Sequence, residues 1–100
     1  MRYTFEWDPI KARENLRKHR ISFERAAEIF LDPLAISVLD DEHGDEEVRW
    51  VTIGRDRPGD VLVLVHTFSQ ISLAECKIRV ISARKADRRE TNQYYEESER

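Results

Sequence analysis

The run Val61-Leu62-Val63-Leu64-Val65 is apolar at every position. A strand sends alternate side chains to opposite faces, so a strand with no polar member must be covered on both sides. The run is far shorter than the roughly 20 residues that cross a membrane. The chain therefore needs a sheet with this strand at its centre and a covering layer on each face.

The flanking sequence offers those layers. Tyr3, Phe5 and Trp7 alternate with Thr4 and Glu6, the period of a strand with one buried face. Asp8-Pro9 ends it and starts a helix: the Asp side chain accepts free N–H groups of the first turn, and Pro loses nothing at the first helical position. A short polar helix is expected over Lys11–Arg20. A second runs from Ser22 as N-cap, with Phe23, Ala26, Ala27, Ile29 and Phe30 forming one apolar stripe, and ends at Asp32-Pro33. Strands then follow at Leu34–Leu39, Val48–Ile53, Val61–Phe68 and Ala74–Ala83, with turns at His43-Gly44-Asp45 and Arg57-Pro58-Gly59-Asp60 and a softer boundary at Ser69–Ser72. Successive strands predict an antiparallel meander. From about Ser82 the chain is expected to turn helical, with Glu96–Arg100 a frayed acidic tail. The expected fold is α+β, a mostly antiparallel sheet with two N-terminal helices and one C-terminal helix, in a single domain spanning residues 1–100.

Charge is segregated along the chain. The formal net charge is -3, against a phosphate-binding surface taken as a whole. Yet Lys77, Arg79, Arg84, Lys85, Arg88 and Arg89 face only Asp87 in their stretch, whereas Asp40, Asp41, Glu42, Asp45, Glu46 and Glu47 surround His43. Both runs also fit solvated faces. One cysteine, Cys76, suits a reducing compartment, and the opening residues lack the apolar core of a signal peptide, so a cytoplasmic protein without membrane contact is expected.

Several stretches are more specific: Phe5-Glu6-Trp7-Asp8-Pro9, Lys11-Ala12, Asn15, Lys18-His19, Ser22-Phe23-Glu24, Ala27, Phe30, Asp32-Pro33, Glu46-Glu47, Arg49-Trp50, Ile53-Gly54, and Arg79-Val80-Ile81-Ser82-Ala83-Arg84 with Glu90 and Tyr94. In this order the chain resembles the BrnT toxin family from residue 5 to about residue 95. The resemblance implies a RelE-like ribonuclease fold, toxicity through RNA cleavage and a block to translation. It also implies neutralisation by a BrnA-like ribbon-helix-helix antitoxin, through which DNA would be contacted only indirectly. The chain departs from the family where Arg20 follows the Lys-His pair in place of a frequent Gly, and where Phe68 follows Thr67 in place of a frequent basic residue. Ser69–Cys76 is also longer than usual. These departures imply an altered surface near the strand ends and an altered RNA preference.

Cleavage by the RNA's own 2′-hydroxyl requires a base, an acid for the leaving 5′-oxygen and cations facing the phosphorane, with no metal or cofactor. Arg79 and Arg84 are the first phosphate clamps expected, because a guanidinium offers paired donors and stays charged. Lys77, Arg79 and Ile81 should share a face opposite Cys76, Ile78 and Val80, and Lys85 and Arg88 extend the basic run along RNA. Arg49 is a second clamp, Glu47 two residues earlier a weak base on the same face, and Trp50 either a core residue or a stacking platform. His19, His43 and His66 compete for the acid and base roles. His19 also reads as a helix C-terminal cap, and His66 as a buried, hydrogen-bonded residue. Tyr94 shares a helix face with Glu90, bordering the site or packing the helix on the sheet. The acidic run reads as a solvated turn, not as a metal site. Two readings compete: a metal-independent endoribonuclease, and a non-catalytic module that binds an antitoxin and acts as co-repressor.

Overall fold

In the computed structural model, which describes residues 1–40 and 47–98, the apolar run is the strand β4 (Val61–His66). It is central: the sheet has six strands, and β4 lies between β3 (Arg49–Arg55) and β6 (Glu75–Lys85), antiparallel to both. β2 (Ile36–Asp40) forms the edge beyond β3. The expected meander is thus β2-β3-β4-β6. β1 (Arg2–Glu6) lies along the far side of β6 in parallel register, pairing Tyr3 with Cys76 and Glu6 with Arg79.

Each face of β4 has its layer. On one side α1 (Pro9–His19), α2 (Phe23–Ala27) and a 3-10 turn (Glu28–Leu31) cover Leu62, Leu64, Ile78, Val80 and Ala83 with Ile21, Phe23, Ala26 and Ile29. On the other, α3 (Arg88–Ser98) seats Tyr94 on Ile53, Val61 and Val63. The stripe read as one helix from Phe23 to Phe30 tightens after Ala27 into the 3-10 turn. Beside that turn the sheet comes close: a Cβ at Gly54 would sit 3.0 Å from the Cβ of Ile29 and 3.1 Å from that of Ala35, so only glycine fits there without displacement.

The helix boundaries follow the capping chemistry. Asp8 accepts from the Ile10 amide at 2.8 Å, and Ser22 from the Arg25 amide at 3.1 Å. Arg20 closes α1 in the left-handed region at φ 61°, the conformation for which glycine is the low-cost residue. Two boundaries differ from the sequence expectation. Ser69–Ser72 is a strand, β5, folded back on β6, and β6 runs on to Lys85 where a helix was expected from Ser82. Asn15 of α1 explains the extension: its side-chain amide accepts from the Ala83 N–H at 3.1 Å and donates to the Ala83 and Ile21 carbonyls at 2.8 and 3.0 Å, holding that backbone extended. The last helix, α3, runs as far as Ser98.

Two carboxylates tie the turns together. Asp56, with a fully covered side chain, binds Arg25 at 2.6 Å and accepts from the amides of Gly59 and Asp60. Burial opposes its charge, but the Arg25 guanidinium and those amides outweigh it and hold the carboxyl below its ordinary range. Asp32, also opposed by burial, is held low by the Tyr94 hydroxyl and the Arg55 and Leu34 amides. A depressed folded value stabilises the protein at pH above the unfolded value, here 3.8, and that stability is lost as pH falls through the folded values. Denaturant midpoints should therefore be flat near neutrality and drop below about pH 4. In Arg25→Ala the drop should start at higher pH, because unpaired Asp56 gains its proton sooner.

Candidate functional site

α3 covers one end of its sheet face and leaves the other end open. Strand register decides what lies there. Glu6 is opposite Arg79, the Thr67 N–H donates to the Arg79 carbonyl at 3.0 Å, and Arg49 is opposite Asp40. Arg49 is also one step beyond the Trp50–His66 pair, the step that Thr67 occupies on the neighbouring strand. Glu6, Arg79, Thr67, Arg49 and Asp40 thus form one row across the sheet. Lys77, two residues before Arg79 on β6, joins Arg79 on this face, as the alternation of the strand requires.

A cleft of about 400 Å³ opens over the row, lined by Glu6, Glu47, Thr67, Phe68, Lys77 and Arg79 among others. Its two cations are held by two carboxylates: Arg79 pairs with Glu47, and Lys77 Nζ lies 3.1 Å from Glu6 Oε2. Side-chain exposures of 36% for Arg79 and 49% for Glu47 place that pair in reach of water, where ion pairs are screened and contribute at most about 1 kcal/mol. An incoming phosphate can displace the carboxylates at little cost. Arg49 is partly buried, and its Nε has no hydrogen-bond partner among the described residues.

The other candidate residues sit elsewhere. Arg84 is spent on Glu90 through two bonds of 2.7 and 2.8 Å. Glu90 in turn accepts from the Asp87 amide at 2.9 Å and donates its own amide to Asp87 at 2.8 Å, a capping box that starts α3. That pairing with Arg84 holds the Glu90 carboxyl below its usual range. Lys85 and Arg88 are exposed beside this cap and outside the cleft. Tyr94 is buried and donates to Asp32 Oδ2 at 2.6 Å; burial, then Asp32, push its hydroxyl up to about 12. His19 ends α1 and is exposed, its dipole-favoured place at a helix C-terminus. Trp50 faces the opposite side of the sheet, opposite His66, and His43 lies outside the described residues. Sequence reading missed Glu6 and Thr67. Alternation alone put Glu6 on the face away from Phe5, but nothing local shows that β1 runs beside β6.

Comparison with known proteins gives a consistent result. A family model described as "Ribonuclease toxin, BrnT, of type II toxin-antitoxin system" matches residues 7–90. Among solved structures, the crystal structure of the Brucella abortus ribonuclease toxin BrnT is similar to this chain, with a TM-score of 0.58 and 22% identity, covering 88% of this chain and 100% of that one. At that identity the likeness establishes the fold. No curated protein matches the chain.

Proposed function

Because the chain belongs to the BrnT family, the ribonuclease toxins of type II toxin-antitoxin systems, we propose that the open cleft on the α3 side of the sheet is its RNA-cleaving site and that it works without a metal ion. The observation that carries this reading is the pair Lys77 and Arg79, side by side on one strand face and balanced, among the described residues, by displaceable carboxylates. In the proposed reaction the O2′–P bond forms and the P–O5′ bond breaks, leaving a 2′,3′-cyclic phosphate. The Arg79 guanidinium, freed from Glu47, takes two phosphate oxygens and stabilises the charge of the phosphorane. Glu47, displaced from Arg79, takes the 2′-hydroxyl proton. The Lys77 ammonium hands a proton to O5′ and regains one from solvent. Arg49, one strand over, adds positive potential to the row.

The natural restraint of such an enzyme is a BrnA-like ribbon-helix-helix antitoxin, with DNA contacted through the antitoxin alone and translation blocked through loss of RNA. Exposed apolar residues on the edge strand β2 and on the 3-10 turn and loop before it, Leu31, Leu34, Val38 and Leu39, support a protein partner. The test is incubation of purified, partner-free protein with 5′-labelled RNA in EDTA. Cleavage with cyclic phosphate ends is the expected result. Cleavage that appears only when Mg²⁺ is restored would replace this mechanism with a metal-dependent one, and no cleavage in either buffer favours the non-catalytic antitoxin-binding module.

A further inference from the structure

The opposite face of the sheet carries a second cavity, of about 350 Å³. Its walls are the rings of Tyr3, Phe30, Trp50 and Phe68. These walls are braced: Tyr3 and Phe30 have centroids 5.5 Å apart, and Phe30 meets the His66 ring edge-on at 5.1 Å. The floor is polar, a hydrogen-bond chain through Ser37, Thr52 and His66.

The direction of that chain follows from its inner end. His66 Nδ1 lies 2.8 Å from the Thr67 carbonyl, which only accepts, so Nδ1 carries the proton. The ring is buried, and burial pushes its pKa down despite that carbonyl, so the ring is neutral near pH 7 and Nε2 is bare. Nε2 then accepts the Thr52 hydroxyl at 2.6 Å, and Thr52 Oγ1 accepts the Ser37 hydroxyl at 2.7 Å. Every hydroxyl proton points inward along the chain. What remains toward the cavity is the lone pairs of Ser37 Oγ; Asp32, which also lines the cavity, accepts only, with its Oδ2 already taking the Tyr94 hydroxyl and the Arg55 amide and its Oδ1 the Leu34 amide. The side chains of the floor therefore accept and do not donate, and the donors among the lining side chains, the Tyr3 hydroxyl and the Trp50 indole N–H, belong to the walls.

Phe68 borders both this cavity and the cleft of Lys77 and Arg79, where the chain breaks between β4 and β5. We propose that the cavity holds a base of the RNA whose neighbouring phosphate sits in that cleft, and that it selects guanine. Among the RNA bases, guanine alone offers two adjacent donors, N1–H and N2–H₂, with no acceptor between them. Adenine and cytosine place an acceptor beside their amino group, and uracil flanks its one donor with two carbonyls. The aromatic walls supply sequence-tolerant stacking, and the acceptor floor supplies the choice. This subsite deepens the cleavage reading above and rests on it.

The test uses full-length protein and short RNAs made non-cleavable by a 2′-deoxy substitution at the attacking position, so that it does not depend on turnover. Fluorescence anisotropy compares a strand with one guanine against the same strand with inosine, which lacks the N2 amine, or adenine. Wild type should bind the guanine strand about ten-fold more tightly. Ser37→Ala should bring the ratio close to one, Ser37→Thr should restore it, and Arg79→Ala should weaken all strands alike. Circular dichroism confirms folding of each variant. Equal affinities in wild type overturn the proposal, as does a Ser37→Ala effect confined to binding of a protein partner, which would make the cavity an antitoxin contact. A guanine preference without cleavage of ordinary RNA would retain the subsite and remove the catalytic reading.

Discussion

Arg79→Ala is expected to slow RNA cleavage by about a hundred- to a thousand-fold, the usual cost of removing one preorganised donor from a developing anion. Its folding stability should stay within about 0.5 kcal/mol of wild type, because the pair it loses with Glu47 is half in water. Arg84→Ala is the informative contrast. Its guanidinium is bound to Glu90 at the start of α3 and is absent from the cleft. Its loss should loosen the α3 cap and lower the unfolding midpoint, with little change in the rate of the chemical step. The two variants are measured together, as kcat on saturating RNA and as thermal midpoints. A large kcat loss in Arg84→Ala with Arg79→Ala near wild type would move the catalytic centre to the α3 end of the sheet.

Asn15→Leu should be strongly destabilising. Asn15 is 7% exposed and satisfies the Ala83 N–H together with the Ala83 and Ile21 carbonyls. Leucine keeps the γ-branched shape, though it is larger, and leaves those backbone groups without partners in a dry site. Each buried orphan costs about 1–3 kcal/mol, so a net loss of about 3 kcal/mol is expected. For a domain of this size that is a fall of roughly 15 °C in Tm. Calorimetry reads it directly. A change of less than about 1 kcal/mol would mean that water or a backbone shift replaces the bonds.

The layers of this protein were legible because they rest on local patterns. The apolar run of β4, the Asp8-Pro9 and Ser22 caps, and the stripe from Phe23 to Phe30 each fix an element within a few residues. Lys77 and Arg79 were readable as neighbours on one face for the same reason. What escaped was everything decided by partners distant in sequence. The length of β6 depends on an asparagine 68 residues away, and Glu6 reaches the cleft only through a parallel pairing that no spacing reveals. Arg84 read as a clamp because its charge was visible and its partner's position was not. The polar floor of the second cavity was hidden likewise: Ser37, Thr52 and His66 come from separate strands, and only their register joins them.

The parallel pairing of β1 with β6 has a consequence during synthesis. Arg2 meets Glu75 across 73 residues, so β1 must wait for β6, the last of the described strands, before it has an edge to join. Such distant closure is slow compared with helix or hairpin formation. Lys77 and Arg79 themselves belong to that last strand. While a ribosome is still translating the earlier strands, the nascent chain beside it contains neither cation of the cleft nor the frame that orients them. The order of the strands thus keeps the cleft from existing until β6 has been made.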